Sequence, residues 1–382
     1  MKTRVRKKIV IAPDSFKGTM SSQEVCDIIE RAAREELTEP LITKIPIADG
    51  GEGTVDAFMS YAKSENRKTE CVNVTVKNPF FEDITASYGL IDDFAVIEMA
   101  SASGLSLVKG TENPFAASSF GTGQLINAAI ENGARHIIIG IGGSATNDGG
   151  IGIASALGYH FTDINNYEIS LNGQGLSSLL HISRNGEKNK LKECTFDVLC
   201  DVVNPLYGEN GAAYIYAPQK GADFNMVKQL DLNLRHFADI VNKELNINIS
   251  EIKGGGAAGG AGAGLYAFLD AKLRRGIDVM LDFTKFEEHC KDADLIITGE
   301  GCVDSQSLNG KVVYGITKRA RGVPIVVITG SIGDGTEKLY DSGVSAIFST
   351  NTRCHTFEQA RKCCRENLYF TARNIFKLYN VN

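Results

Sequence analysis

The chain has 382 residues, of which 43% are hydrophobic and 23% are charged, as is ordinary for a globular protein. This length exceeds what one hydrophobic core usually covers, so we expect two domains. A net charge of −6 provides no general attraction to nucleic acid or to anionic membranes, and we expect neither as a partner.

The N-terminal and cysteine patterns favour a cytoplasmic protein. The first apolar run, residues 9–12, is too short for an export signal, and no run of about 18 apolar residues could span a bilayer. Nine cysteines show no C-x-x-C pairs of the kind that bind zinc, and an odd count suits reduced thiols. We expect most of these thiols to fill the core.

Strands, polar glycine loops and helices alternate over the first 80 residues. The predicted elements are strands at 8–12, 41–46 and 71–76, a helix at 22–36 and a second helix after the loop at 49–53. The loops at 14–18 and 49–53 both follow strands. Ligands of a doubly wound parallel sheet bind beyond such strand ends.

The pattern changes at about residue 83 and returns after residue 285. The middle predicts strands at 86–90, 95–99, 137–139, 196–200 and 211–216, with helices at 119–132, 151–157 and 226–245. The C-terminal part predicts strands at 294–298, 325–329 and 346–349, and final helices within 357–379.

Because the two chain ends share one pattern, we predict an α/β protein of two domains. Residues 1–82 and 285–382 form a doubly wound, Rossmann- or flavodoxin-like parallel-sheet domain. Residues 83–284 form an inserted mixed α/β domain, and we expect the active cleft between the two.

Residues 137–152, IIIGIGGSATNDGGIG, predict a buried strand, a glycine-rich loop and the start of a helix. Bare backbone N–H groups at the positive end of a helix suit a phosphate or a carboxylate. Ser144 and Thr146 offer hydroxyl groups to such a ligand. Asp148 is placed either to cap the helix or to hold a metal ion.

Acidic side chains recur at strand ends and in glycine loops, where each one alone is more typical of a cap or turn. They are Asp14, Asp49, Glu52, Glu98, Asp148, Asp201, Glu300 and Asp304. Lys17, Lys220 and Lys311 each lie beside a glycine. Phosphoryl transfer needs carboxylates for magnesium, cations for the transferring charge and N–H groups for phosphate oxygens. The chain lacks a Walker A motif, so a nucleotide site would have its own design.

Two other classes of function stay open. Residues 140–145 fit the G-x-G-x-x-A pattern, with Asp163 at the distance that a dinucleotide fold requires, and residues 254–259 fit G-x-G-x-x-G. Because one chain offers two matches, neither is specific. An NAD(P)-dependent oxidoreductase of a small hydroxy acid, with its cofactor on the loop at residue 140, stays open as one alternative. A non-catalytic small-acid sensor with the same two-domain cleft is the other.

A series of motifs covers nearly the whole chain. In order, they are IVIAPDSFKGTMSS at residue 9, ADGGEGT at 48, SFGTG at 119, GIGGSATNDGGIG at 140, DVVNPLYGENGA at 201, APQKGA at 217, GAAGGAGAG at 256 and TGEG-x-x-D-x-Q-S-x-x-G-K at 298. The series resembles that of the bacterial, type-1 glycerate kinases. This resemblance implies ATP- and magnesium-dependent phosphorylation of D-glycerate on a two-domain α/β fold. The chain departs from the family at Cys302, where arginine is usual, and at 312–313, where a proline is common.

The candidate site residues combine this resemblance with the strand-end positions. The catalytic candidates are Asp201, which we prefer as general base, Asp49 as the second choice, Lys17 and Lys311. We expect glycerate contacts from Asp14, Ser15, Lys17, Ser144, Thr146 and Asp148. We expect nucleotide contacts from Gly121, Thr122, Gly142, Gly143, Lys220, Gly256, Gly259 and Gly301. The expected magnesium ligands are Asp201, Glu300 and Asp304. Whether the 2- or 3-hydroxyl is attacked and whether the protein forms a homo-oligomer stay open.

Overall fold

The computed structural model describes residues 6–184, 189–304, 312–353 and 356–381. Its strands form sheets of five, six and two strands. The chain divides into two compact units, Met1–Ala48 with Ile277–Asn382, and Asp49–Gly276. We call these the first unit and the second unit.

Helices and strands alternate along both chain ends and are mixed with a hairpin in the middle. Residues 6–48 contain β1 (Lys8–Pro13), α1 (Ser22–Glu36) and β2 (Leu41–Lys44). Residues 49–276 contain α2 (Thr54–Ser64), β3 (Thr69–Lys77), β4 (Asp83–Ile91), β5 (Phe94–Glu98), α3 (Ala100–Ser103), α4 (Phe120–Glu131), β6 (His136–Gly140), α5 (Ile151–Ala156), β7 (Tyr159–Thr162), β8 (His181–Arg184), α6 (Asn189–Lys192), β9 (Thr195–Leu199), α7 (Ala212–Tyr216), α8 (Phe224–Leu245), α9 (Ala261–Leu269) and β10 (Lys272–Arg274). The C-terminal part contains α10 (Gly276–Phe283), α11 (Phe286–Cys290), β11 (Leu295–Val303), α12 (Val312–Arg319), β12 (Ile325–Ile332), α13 (Lys338–Asp341), β13 (Val344–Ser349), α14 (Phe357–Lys362) and α15 (Cys364–Asn380). Short 3-10 helices cover Leu105–Val108, Gly175–Ser178, Pro218–Lys220 and Ala257–Gly260. Among the described helices, none combines the length and the apolar character needed to cross a bilayer.

The first unit contains the five-stranded sheet, in the order β13-β12-β11-β1-β2. All four strand pairs are parallel. Ile9 and Ile11 of β1 pack in one core with α1 and α15, while Val10 and Ile296 on alternate positions are also fully buried. Burial of both strand faces is typical of a parallel sheet covered by helices on each side. The predicted doubly wound α/β fold is confirmed.

The helix α1 has the bounds that the sequence predicts. Its N-cap residue is Ser21, whose side chain accepts a hydrogen bond from Glu24 N at 3.2 Å. Val25, Ile29 and Ala33 recur at helical spacing and are fully buried against the sheet. Capping and amphipathic spacing are local properties of the sequence, so this element could be predicted in full.

The second unit contains the six-stranded sheet, in the order β10-β9-β6-β5-β4-β3. The strands β10, β9, β6 and β5 pair in parallel, and β4 and β3 continue the sheet as an antiparallel hairpin. The predicted strand at 211–216 is wrong, because residues Ala212–Tyr216 form the helix α7. A short apolar run does not distinguish a strand from a buried helix, and its two alanines favour the helix.

The structure divides the chain at residues 48/49 and 276/277, where the sequence suggested 82/83 and 284/285. Residues 49–82 lie in the second unit because β3 pairs with β4 along nine residues, from Thr69 opposite Ile91 to Lys77 opposite Asp83. The helix α2 also packs on β4 and β5. Antiparallel pairing of adjacent strands outweighs the strand–loop–helix pattern on which the sequence boundary rested.

The cysteines fill the core only in part. Cys26, Cys290 and Cys364 are buried, whereas Cys71 and Cys302 are exposed. Cys302 lies near the end of β11, at the position where the family usually has arginine. Its thiol is therefore on the surface of the first unit.

We predict that a fragment of residues 49–276 folds on its own with a cooperative thermal transition, because it retains the complete six-stranded sheet. A fragment of residues 83–276 lacks α2 and β3, which leaves β4 paired only with β5 and makes it an edge strand with exposed apolar side chains. We expect this shorter fragment to aggregate or to melt without cooperativity. Circular dichroism melting of both fragments tests the boundary, and equal thermal midpoints would contradict it.

Candidate active site

The carboxyl ends of β1 and β11 meet where the strand order of the first sheet reverses. β1 lies between β2 and β11, and open α/β sheets bind ligands at such a reversal. Pro13 pairs with Gly299, and Asp14 N donates to Gly299 O at 2.8 Å. Asp14 directly follows β1, whereas Glu300 lies within β11, which continues to Val303 beyond the expected strand end at residue 298; the two residues are 8% and 7% exposed. Ser15 N donates to the Asp14 carboxylate at 2.6 Å. The structure brings the three residues to one edge of the first unit.

Lys17 lies on a tight loop that follows β1. Phe16 N donates to Met20 O at 2.9 Å, and Gly18 provides the left-handed conformation of the turn, with φ of 75°. The Lys17 side chain is exposed. A Cβ atom added to Gly301 would lie 3.5 Å from Lys17 N, an ordinary contact distance, so β11 and the loop lie side by side here. The predicted residues Lys17 and Gly301 are therefore neighbours.

In the second unit, the loop at residues 49–53 lies against the carboxyl ends of β6 and β9. Gly142 N donates to Gly50 O at 3.1 Å. Gly50 has φ of 89°, and a Cβ atom there would lie 2.7 Å from the Leu199 Cβ. Asp49 accepts a hydrogen bond from Gly51 N at 3.2 Å. Close backbone contact thus places Asp49 at the carboxyl ends of β6 and β9.

Two more acidic groups lie along the same edge of the six-stranded sheet. Glu98 ends β5 and accepts a hydrogen bond from Val55 N at 2.9 Å, and burial raises the pKa of its carboxyl group. Asp201 follows β9 with an exposed side chain, whose Oδ1 accepts from Gly276 N at 3.0 Å. Glu98 is not among the predicted site residues, although its position at a strand end is a signal for it.

The glycine loop after β6 does not have the geometry of a dinucleotide-binding turn. In that fold the helix begins within the glycine turn. Here residues 141–150 separate β6 from α5, and α5 has only six residues. A Cβ atom on Gly142 would lie 2.9 Å from Gly51 Cα, so this glycine serves backbone packing. The oxidoreductase alternative loses the feature on which it rested.

Asp148 is fully buried and its carboxylate bonds within the protein. Oδ2 accepts from Ser119 N at 2.8 Å and from Ser119 Oγ at 2.7 Å, and Oδ1 accepts from Gly150 N at 3.0 Å. Burial raises the pKa of Asp148, and these hydrogen bonds oppose the rise. Ser119 is the N-cap residue of α4. The carboxylate therefore joins the start of α4 to the loop.

Lys220 is a buried cation that bonds to the same loop. Its side chain is 3% exposed, and Nζ donates to Ser144 Oγ at 3.0 Å and to Thr146 O at 2.7 Å. Burial lowers the pKa of Lys220 to about 7, and the charge of Asp148 opposes this shift. The sequence predicts a nucleotide contact for Lys220, but in this structure its amine is engaged inside the second unit.

Three polar atoms of the loop are buried without a hydrogen-bond partner in the part of the chain that the structure describes. They are Thr146 Oγ1 and both amide atoms of Asn147, Oδ1 and Nδ2. A buried polar group without a partner is uncommon and calls for an explanation. Asn147 is not among the predicted site residues, although its place between Thr146 and Asp148 in the glycine-rich motif is a signal.

Four predicted nucleotide positions have contacts that explain their residue types without a ligand. A Cβ atom at each of the three glycines would collide with a backbone carbonyl, and the threonine hydroxyl has a buried partner. The added Cβ atom would lie 1.9 Å from Lys77 O at Gly121, 2.2 Å from Pro205 O at Gly256 and 2.1 Å from Thr146 O at Gly259. The Thr122 hydroxyl lies 2.8 Å from Ser103 Oγ. Gly143 has φ of 71° in the glycine loop.

The predicted magnesium ligands do not form a metal centre by themselves. Across residues 6–184, 189–304, 312–353 and 356–381, no three His, Cys, Asp or Glu side chains are grouped to hold a metal ion. Asp201 belongs to the second unit, and Glu300 and Asp304 to the first. Magnesium in phosphoryl-transfer enzymes usually takes one or two carboxylates together with phosphate oxygens and water. The carboxylates of the first unit fit this smaller requirement. Lys311 lies outside the described residues.

These strand-end sites on parallel sheets are those of an α/β enzyme that acts on a small molecule. The model of the glycerate kinase family matches residues 9–380. The chain is 44% identical to a glycerate 2-kinase of Escherichia coli (strain K12) over 373 residues, which is 96% of this chain and 97% of that one. It is 42% identical to a glycerate kinase of Bacillus cereus (strain ATCC 10987 / NRS 248), with 98% of each chain covered. A crystal structure of a Salmonella typhimurium LT2 protein described as glycerate kinase 2 has a TM-score of 0.87 and 43% identity, with 99% of both chains covered.

The chain belongs to the glycerate kinase family, and it is an enzyme. Membership extends over the motifs that suggested the family, from residue 9 to the C-terminal helix. The non-catalytic sensor alternative is therefore set aside.

We predict that the buried amine of Lys220 makes stability depend on pH. Unfolding returns the pKa of Lys220 from about 7 to its ordinary 10.5, so the unfolded chain binds the additional proton between these values. The lysine destabilises the fold fully below pH 7, and stability rises with pH through this window by at most about 1.4 kcal/mol per pH unit. Lys220→Met should lack this rise.

Thermal midpoints at pH 6, 7, 8 and 9 measure the effect. The thermal midpoint of the wild type should rise relative to that of Lys220→Met only above pH 7. The thermal midpoint of the exposed lysine variant Lys109→Met should follow that of the wild type at every pH. A difference between wild type and Lys220→Met that stays constant from pH 7 to 9 would show that the lysine is charged in the fold.

Proposed function

We propose that the protein transfers the terminal phosphoryl group of ATP to D-glycerate with the help of magnesium. The observation that carries the proposal is family membership over residues 9–380. The strand ends support it, because they gather the carboxylates and cations that phosphoryl transfer requires. Since the Escherichia coli relative is a glycerate 2-kinase, we propose that the 2-hydroxyl is the acceptor.

We propose that the carboxylate of glycerate is bound either by Lys17 of the first unit or by the polar loop at residues 144–148 of the second unit. Lys17 is exposed at the strand reversal of the first unit, where it can meet a negatively charged ligand. Ser144 retains a small exposed fraction of 5%, whereas Thr146 and Asp148 are fully buried. Lys17 and Ser144 are therefore the stronger candidates for direct contact. Asp148 acts by holding the loop in place.

Asp201 is our proposed general base, with Asp49 as the second choice. Its exposed carboxylate follows β9 at the edge where polar loops gather. In the reaction, the base accepts the hydroxyl proton of glycerate as its oxygen bonds to the terminal phosphorus of ATP. The bond from that phosphorus to the bridging oxygen breaks, and ADP leaves with the electron pair.

Glu300 and Asp304 are the proposed holders of magnesium in the first unit. When bound, the ion neutralises charge on the phosphate oxygens. Glu300 is 7% exposed and lies on β11 beside the end of β1, which Asp14 follows, so its carboxylate is placed at the proposed phosphate edge. Lys17, on the adjoining loop, can supply positive charge to the phosphates as well.

We predict a strong preference for D-glycerate over glycerol. A site built to pair a carboxylate leaves buried donors unpaired when that group is missing, and such losses reach about 10⁴-fold in discrimination. ADP release measured by a coupled assay should give kcat/KM for glycerol at least about 100-fold below that for D-glycerate. Equal values would refute the carboxylate site, and phosphorus NMR of the product identifies the phosphorylated hydroxyl.

We predict that Asp201→Asn lowers kcat by about 10²- to 10⁴-fold, because an amide cannot accept the hydroxyl proton. The asparagine oxygen can still accept the hydrogen bond from Gly276 N, so the thermal midpoint should change little. Asp239→Asn, at an exposed position on α8, is the matched control and should keep full activity. Asp49→Asn is measured in parallel. If Asp201→Asn retains turnover and Asp49→Asn does not, the two roles are exchanged.

A further inference from the structure

Lys220 connects two points of the loop that follows β6. It ends the short helix Pro218–Lys220, after which Gly221 turns the chain with φ of 93°. Its buried Nζ donates to Ser144 Oγ at 3.0 Å and to Thr146 O at 2.7 Å. One amine therefore sets the distance between the side chain of Ser144 and the backbone two residues later.

The segment at residues 144–148, which we call the anchored segment, has flexible backbone positions at both ends. Gly143 precedes it with φ of 71°, and Gly149 and Gly150 follow it with φ of 62° and 77°. Asp148 fixes the C-terminal end through its bonds to Ser119 and Gly150. Lys220 provides the corresponding side-chain bonds at the N-terminal end.

The conformation of the anchored segment is held against an internal penalty. Among the described residues, Thr146 Oγ1 and the Asn147 amide are buried without partners, and a buried polar group without a partner destabilises the fold. Thr146 and Asn147 are both fully buried, so neither reaches a ligand in this arrangement. The bonds from Lys220 and Asp148 hold the segment in this arrangement against that penalty.

The bond from Lys220 also sets the direction of the Ser144 hydroxyl. Because the serine oxygen accepts from Nζ, its own hydrogen remains as a donor toward another group. Ser144 lies just beyond the carboxyl end of β6, on the edge that carries Glu98 and Asp201. A carboxylate bound at this edge would be a suitable acceptor.

We propose that Lys220 is a positioning residue for the acid substrate: it orients the Ser144 hydroxyl and the anchored segment toward the carboxylate of glycerate, and it does not contact the nucleotide. The inference rests on the proposed function, since it names how that reaction's substrate is held. Lys220 is 3% exposed and its amine already donates two hydrogen bonds inside the second unit, which leaves little access for a phosphate. The positioning role keeps both.

A double-mutant cycle of Lys220→Met and Ser144→Ala tests the proposal. Each single variant should raise KM for D-glycerate or lower kcat by at least tenfold, while KM for ATP stays within twofold of the wild type. The kinetic constants of the double variant should be no worse than those of the poorer single variant, because both changes remove the same interaction. Ser144→Thr keeps the hydroxyl and should restore most of the activity. Lys109→Met, an exposed lysine change, should match the wild type.

Three outcomes would overturn the positioning role. They are a rise confined to KM for ATP, losses that multiply in the double variant, and a lower thermal midpoint with wild-type kinetics. If Lys220→Met proves insoluble, Ser144→Ala alone decides, and wild-type glycerate kinetics in it would refute the proposal. Wild-type turnover of D-glycerate is read separately. Its absence would refute the proposed function, whereas active wild type with unaffected variants would refute only the role of Lys220.

Discussion

Close backbone contact at the carboxyl edge of the six-stranded sheet is the constraint on which the second unit depends. A Cβ atom on Gly259 would lie 2.1 Å from Thr146 O, and one on Gly264 would lie 2.1 Å from Gly149 O. Gly149 N also donates to Gly259 O at 3.0 Å. Backbone atoms meet where any side chain would collide, so the glycine-rich stretch is a packing surface. This contact forces the loop after β6 into a buried position.

Burial of that loop determines the chemistry of its charged neighbours. Lys220 and Asp148 are nearly or fully removed from water, and each is retained by hydrogen bonds to the loop or to the start of α4. A buried charge is tolerated only with such partners. The lowered pKa of Lys220 and the raised pKa of Asp148 follow from the same burial. The two side chains thus hold the loop through hydrogen bonds within the second unit.

The first unit reaches a polar strand edge by a different route. Its strand order reverses beside β1, and open α/β sheets bind ligands at such a reversal. Asp14 and Glu300 lie there on neighbouring strands, with Lys17 on the adjoining exposed loop. Membership of the glycerate kinase family accounts for acidic and cationic groups at such an edge, since the family name specifies a phosphoryl acceptor that is itself an acid.

The sequence by itself determined the elements whose signals are local. Spacing, capping and residue type along the chain determine these elements. They are the bounds of α1, the parallel character of β1 and β11, the polar strand ends and the ordered motifs of the family. Only the tertiary structure decided which residues meet. The pairing of β3 with β4 placed residues 49–82 in the second unit, and the burial of Lys220 bonded it to Ser144 and Thr146. Strand partners and burial depend on contacts between residues far apart in the chain, and local periodicity carries no information about those contacts.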